Sequence, residues 1–145
     1  MSRLSKPGMF IEMARVVAQR STCQRLQVGC LITNYDSTSV VSMGYNGNAK
    51  GLPNKCDTTT PGECGCIHAE LNALLKAPFS QGTLRLFTTH SPCLDCAKLI
   101  LNSRVQHVIF EKQYRSNDGL YLLSSADIPV HQYLAESNLL AEIVE

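Results

Sequence analysis

Two short segments constrain this chain more than anything else in it: Cys66-Ile67-His68-Ala69-Glu70 and, further on, Ser91-Pro92-Cys93-Leu94-Asp95-Cys96. One imidazole and two thiols offer three ligands to a zinc ion. Three protein ligands plus a water is the arrangement of a catalytic zinc, whereas structural sites close all four positions. Zinc held in this way lowers the pKa of its water to about 7. The glutamate two positions past His68 is a poor ligand there and a good proton carrier. Both segments open predicted helices, whose positive ends favour thiolates. Cys93 and Cys96 lie one turn apart, so their sulfurs face the same way.

A closed Cys3His site is the competing reading, with Cys66 or Cys64 as the fourth ligand. Cys66 precedes the helix and would have to bend back to the metal. A purely structural site also leaves Glu70 and Pro92 without a role. Cys23 and Cys30 flank the first predicted strand and are expected to be buried. Cys56 and Cys64 fall in a long loop, where a second metal is conceivable but no clean spacing supports it. His107 and His131 read as structural, while His90 lies between a strand end and Pro92, beside the metal.

The 145 residues suffice for one domain with a core that needs no disulfide. A hydrophobic fraction of 44% and a charged fraction of 17% are ordinary for a globular protein. Net charge of +1 provides no electrostatic footprint for a polynucleotide. No apolar run approaches membrane-spanning length, and Met1–Phe10 lacks the apolar region of a signal peptide. A cytoplasmic protein is therefore expected. Seven cysteines in that compartment read as metal ligands or small buried hydrophobes rather than as disulfides.

Ser5-Lys6-Pro7 looks like a helix start, and Met9, Phe10, Met13, Val16 and Val17 recur at helical spacing, which predicts an amphipathic helix from Pro7 to about Gln19. Residues 28–33 and 40–43 read as antiparallel strands joined by a polar loop. From Gly44 to Gly65 there is no periodicity, and aperiodic loops of such length tend to be functional. His68 to Lys76 should be helical, Thr83–Thr89 a strand, Cys93 to Asn102 a helix and His107–Glu111 a strand. A helix capped by Asn117 or Asp118 runs to Ala126, then a short strand spans Ile128–Val130. From Gln132 to Val144, Leu134, Leu139, Leu140 and Ile143 recur at roughly helical spacing. Alternating strands and helices indicate an α/β domain with a mixed sheet.

The pattern H-x-E…P-C-x-x-C is that of the zinc-dependent nucleobase deaminases. The match then narrows. Ser21-Thr22-Cys23-Gln24-Arg25 with Val28-Gly29, the loop Gly44-Tyr45-Asn46-Gly47, the run Cys66 to Ala73, the run Thr89 to Lys98, and Tyr114-Arg115 followed by Asp118-Gly119-Leu120 together resemble the deoxycytidylate deaminase family. The resemblance covers the whole chain and implies a three-layer α/β/α, cytidine-deaminase-like fold around a mixed five-stranded sheet. It makes His68, Cys93 and Cys96 the ligands of Zn2+ and Glu70 the proton shuttle. It implies hydrolysis of dCMP to dUMP and ammonia, for thymidylate synthesis: an activated water attacks C4, and Glu70 passes protons to ring N3 and to the departing amine.

Around the substrate, the resemblance places Asn46 at the sugar and Tyr114 and Arg115 at the border of the nucleotide pocket, with His90, Ser91 and Pro92 beside the metal. A 5′-phosphate needs cationic or N–H partners, and Arg25 and Arg115 are the candidates. Family members are commonly homo-hexamers, activated by dCTP and inhibited by dTTP as Mg2+ complexes. The implied effector stretch is Gly44, Tyr45, Asn46, Gly47, Asn48, Lys50, Gly51 and Leu52. The Cys- and Thr-rich segment between Asn46 and His68 departs from any family pattern.

Overall fold

In a computed structural model, residues 3–60 and 62–143 are described. Helix α1 (Lys6–Ala18) starts where the sequence places it: the Ser5 hydroxyl accepts from the Gly8 N–H, and Pro7 stands in the first turn. Strands β1 (Gly29–Asn34) and β2 (Val40–Tyr45) pair antiparallel. An irregular stretch then leads to α2 (Ala69–Lys76). After it come β3 (Leu84–His90), α3 (Leu94–Leu101), β4 (Val105–Lys112), α4 (Asp118–Ser125), β5 (Val130–Leu134) and β6 (Leu139–Glu142).

The strands form one sheet in the order β2-β1-β3-β4-β5-β6. The pairs β3–β4 and β4–β5 are parallel; β1–β2, β1–β3 and β5–β6 are antiparallel. Alternation along each strand builds the layers. Cys30, Ile32, Leu86, Val108 and Phe110 point to one face, where Ala69 and Ala73 of α2, Ala97 and Ile100 of α3, and Leu120 and Leu123 of α4 cover them. Leu31, Phe87, Ile109 and Tyr133 point to the other, against Phe10, Ile11 and Ala14 of α1. The result is the expected α/β/α sandwich, with six strands rather than five.

The sixth strand corrects the helical reading of the tail. Up to Ile143 (Val144 lies outside the described residues) this segment is a hairpin whose turn carries Asn138 at φ +59°. Its Oδ1 accepts from the Ser5 N–H at 3.0 Å, the Ser5 hydroxyl at 2.8 Å and the Tyr133 hydroxyl at 3.1 Å, which staples the hairpin to the start of α1. A free helix would have left an edge of β5 unpaired; the strand pairs it.

A second correction concerns α1. Its buried face is Phe10, Ile11, Ala14 and Ala18, and Met9, Met13 and Val16 are exposed. The large methionines drew the predicted stripe toward themselves, while small alanines make the close contact with β1 and β3.

His107 and His131 are structural, as expected. Arg85 Nε donates to His107 Nδ1 at 2.9 Å, so the ring proton sits on Nε2, which donates to His131 Nδ1 at 2.8 Å. Burial first, then the neighbouring His131 and Arg85, pushes His107 down to about 4. The unfolded chain takes up that proton near pH 6.5 and the native state does not. Stability contributed by neutral His107 is thus complete above about pH 6.5 and is lost as pH falls toward about 4, a loss on the order of 3 kcal/mol. Imidazole NMR resonances of His107 should keep neutral values from pH 7.5 to 5; a midpoint near 6.5 would contradict this bonding scheme.

Candidate active site

His68 and Cys93 occupy the N-cap positions of α2 and α3, both with extended backbone, so each presents its side chain off the open end of a helix. Gly44 of β2 makes the approach of α2 possible. A Cβ there would stand 2.5 Å from both the Ala69 carbonyl oxygen and the Ala73 nitrogen. Packed this closely, α2 delivers His68 Nδ1 to 3.2 Å from Cys96 Sγ and 3.5 Å from Cys93 Sγ. With Zn–N near 2.0 Å and Zn–S near 2.3 Å, tetrahedral coordination places such N and S atoms about 3.5 Å apart. The donor set fits zinc in type and in spacing, and the three ligand atoms lie within 4.8 Å of one another.

Electrostatics point the same way. The hydrogen bond from the Cys96 thiol is the largest influence on Cys93, pulling it down to about 4 against burial, and His68 adds to it. His68 is raised to about 9, first by its bond to Cys93. Cys96, the donor, is raised well above the ordinary thiol range. The trio holds a thiolate and shares protons that a cation displaces on binding. Two residues past His68, in the first turn of α2, Glu70 is buried at 5% exposure, and burial raises its carboxyl above the usual value. A buried carboxyl whose neutral form is favoured in this way has the chemistry of a proton carrier.

These groups open into a cavity of about 260 Å³. Of the residues singled out in the sequence, Arg25, Asn46, His68, Glu70, His90, Ser91, Cys93, Tyr114 and Arg115 line it. Ser91 Oγ accepts the Tyr114 N–H at 2.7 Å, which brings Tyr114 and Arg115 to the rim, with the guanidinium 5.3 Å from the tyrosine ring centre. The Thr89 hydroxyl accepts from the Gly29 N–H at 3.2 Å and contacts His90 Nδ1 at 2.9 Å. With the hydroxyl as donor in the second contact, His90 carries its ring proton on Nε2. Burial, then Lys112, holds His90 below its ordinary pKa, in keeping with a neutral ring.

Several placements differ from the sequence reading. Pro92 is buried at the turn into α3 and is not among the residues lining the cavity. Asn46 reaches the wall, yet its amide is engaged: Oδ1 accepts from Val28 N–H at 2.8 Å and Nδ2 donates to the Leu26 carbonyl at 2.7 Å. It therefore anchors residues 26–28, and Leu26 and Val28, to which the sequence reading gave no site role, supply apolar wall. Val28 stood among the residues that carry the family resemblance, and Leu26 lies between them. Gly44 and Tyr45 belong to β2, and residues 48–52 lie away from the cavity. Cys64 and Cys66 are not ligands of the His68 site; they gather with Cys23 and Cys56 in a separate group, which removes the closed Cys3His reading.

Residues 5–112 match the family model of the cytidine and deoxycytidylate deaminase zinc-binding region. Deoxycytidylate deaminase of Saccharomyces cerevisiae is 31% identical over 144 residues, covering 90% of this chain and 46% of that protein. The human deoxycytidylate deaminase is 36% identical over 128 residues, covering 79% of this chain and 70% of its own length. The chain spans about half the length of the two yeast relatives it matches. Among solved structures, a dCMP deaminase from the cyanophage S-TIM5, in complex with dCMP and dUMP, superimposes with a TM-score of 0.78 at 32% identity, covering 86% of this chain and 93% of that one.

Cys96→Ser should cut bound zinc at this site severely, because a hydroxyl is a poor substitute for a thiolate. Glu70→Gln should retain full zinc, since the amide replaces a group that holds no metal. Metal analysis of both purified variants checks the assignment; zinc lost with Glu70→Gln, or none lost with Cys96→Ser, would place the metal elsewhere. By its sequence match, its sandwich and the His68–Glu70–Cys93–Cys96 cluster beside its cavity, the chain belongs to the cytidine and deoxycytidylate deaminase family.

Proposed function

We propose that this chain hydrolyses dCMP to dUMP and ammonia, with His68, Cys93 and Cys96 holding Zn2+. The observation that carries this is a buried, proton-poised Glu70 beside that ligand trio, in a cavity whose rim carries Arg25 and Arg115. Zinc bound there supplies a water activated for attack at neutral pH. Leu26 and Val28 provide the apolar wall against which a cytosine ring packs. Glu70 accepts one proton of the attacking water and hands it to ring N3, then takes the second from the new C4 hydroxyl and gives it to the amine, which leaves as ammonia when the C4–N bond breaks. The N–H groups at the open start of α3 face the charge that develops on the ring. Arg25 and Arg115, both exposed, pair with the 5′-phosphate.

We extend the reading to regulation, with Mg-dCTP as activator and Mg-dTTP as inhibitor. Two features support it. Gly51 sits at φ +91° with open space where a Cβ would stand, beside exposed Lys50. The same stretch is tied to the metal ligand: Gly47 and Ile67 exchange N–H to carbonyl bonds of 3.1 and 2.7 Å, one residue before His68. A ligand on residues 48–52 that prefers one placement of this ladder shifts His68, and a coupling of about 1–3 kcal/mol is ordinary. The chain acts as a homo-oligomer in this reading, and Met9, Met13 and Val16 form an apolar strip on α1 available for contact. No helix among the described residues is long and apolar enough to cross a membrane, and the reaction fits the cytoplasm, where its nucleotides are made.

Ammonia release from dCMP, deoxycytidine, CMP and a tRNA anticodon stem, measured side by side, tests the assignment. dCMP should be preferred, and Glu70→Gln should lower its turnover by about 10²–10⁴-fold. Arg115→Ala should raise KM for dCMP roughly tenfold, about 1.4 kcal/mol of charged hydrogen bonding, and leave deoxycytidine unaffected. Equal losses on both substrates would remove Arg115 from the phosphate. In the same assay at sub-saturating dCMP, rates unmoved by either triphosphate with Mg2+ would leave an unregulated deaminase.

A further inference from the structure

The cysteines outside the active centre are not scattered. Cys23, from the segment before β1, meets Cys56, Cys64 and Cys66 of the long loop, and all four sulfurs lie within 4.8 Å of one another. Cys56 Sγ is the hub, 3.7 Å from Cys23 Sγ and 3.9 Å from Cys66 Sγ. A disulfide requires about 2.05 Å. A tetrahedron of thiolates around an ion at about 2.3 Å has edges of about 3.8 Å. Both of these separations match the edge of that tetrahedron and not a covalent bond.

The backbone is arranged to suit. Gly65, between two of the cysteines, takes φ +80°, a conformation that favours glycine, and a Cβ there would stand 1.9 Å from Asp57 Oδ2. Asp57 in turn accepts from Asn48 Nδ2 at 2.7 Å, holding the Cys56 side of the loop in place. The Gln24 N–H points at Cys56 Sγ at 3.3 Å, as amides do toward sulfur that carries negative charge. The seventh cysteine, Cys30, lies in the sheet at 0% exposure and takes no part.

We infer that Cys23, Cys56, Cys64 and Cys66 bind a second, structural zinc ion through four thiolates. The site is closed, with no position for water, and so does no chemistry. Its placement assigns its purpose. Cys23, Cys64 and Cys66 line the wall of the active cavity, Cys66 is two residues from His68, and Cys23 is two residues from Arg25. The ion clamps the long loop to the segment carrying Arg25, Leu26 and Val28. Residues 46–60 and 62–68 have little regular structure of their own, and a metal clip across a long loop stabilises the fold that forms it. This inference stands on the four sulfurs and is independent of the substrate.

Zinc analysis of the full chain, purified under reducing conditions, should return about two ions per chain, where the catalytic trio alone accounts for one. Cys56→Ser should keep about one ion, as should His68→Ala, and each variant should lose a different one. Should Cys56→Ser fail to fold, the wild-type count and the His68→Ala count still decide. Cobalt(II) restored to wild-type apoprotein gives a further readout, since a four-thiolate site shows strong sulfur-to-cobalt charge transfer that must persist in His68→Ala. About one ion in the wild type and none in His68→Ala would overturn the inference. So would a disulfide among these four cysteines in the mass of the unreduced, metal-loaded protein.

Discussion

The contact on which the rest depends is the meeting of two helix starts above one end of the sheet. Helix α2 brings His68 and α3 brings Cys93 and Cys96, and their ligand atoms converge because neither helix can move on its seat. The seat of α2 is Gly44, where no side chain fits. That of α3 is the core of Ala97 and Ile100 against the sheet. Interiors packed to this density transmit small shifts rather than absorb them. Ligand geometry at the site is therefore held by hydrophobic packing some distance away.

The same arrangement sets the surroundings of Glu70, the proposed acid–base group. Glu70 falls one helical step inside the start of α2, which places it at the cavity and beneath solvent at once. Desolvation then raises its carboxyl, while the nearby imidazole opposes the shift. Around it the polar side chains are satisfied internally: Asn46 spends its amide on the backbone of residues 26–28, Ser91 on Tyr114, Thr89 on Gly29 and His90. Among the described residues, no buried side-chain nitrogen or oxygen lacks a partner. A cavity wall so bonded is preorganised, and it presents fixed dipoles to whatever it binds.

Local signals made much of this legible in the sequence. The spacing of His68, Glu70, Cys93 and Cys96 is short-range chemistry, and each pair lies on a single helix start, so its geometry follows from helical periodicity. Ser5 and Pro7 marked the start of α1 for the same reason. The failures were equally physical. Spacing in the tail was read as helical because three leucines and an isoleucine recur; the strand partner β5 and the turn at Asn138 overrode it. In α1, alanine makes close contacts that hydrophobicity undervalues, and the methionines were credited with a face they do not bury.

What the sequence by itself determined was the candidate ligand set, the proposed proton carrier and the alternation of strands and helices, since each is written within a few neighbouring residues. Tertiary structure alone decided which cysteines belong together. Cys66 is two residues from His68 and joins a different group, and Cys23 reaches its three partners only because the sheet folds the long loop back over the segment before β1. Contacts between residues distant in the chain leave no period or spacing to read. They exist only once the core has closed and brought the two segments to one wall.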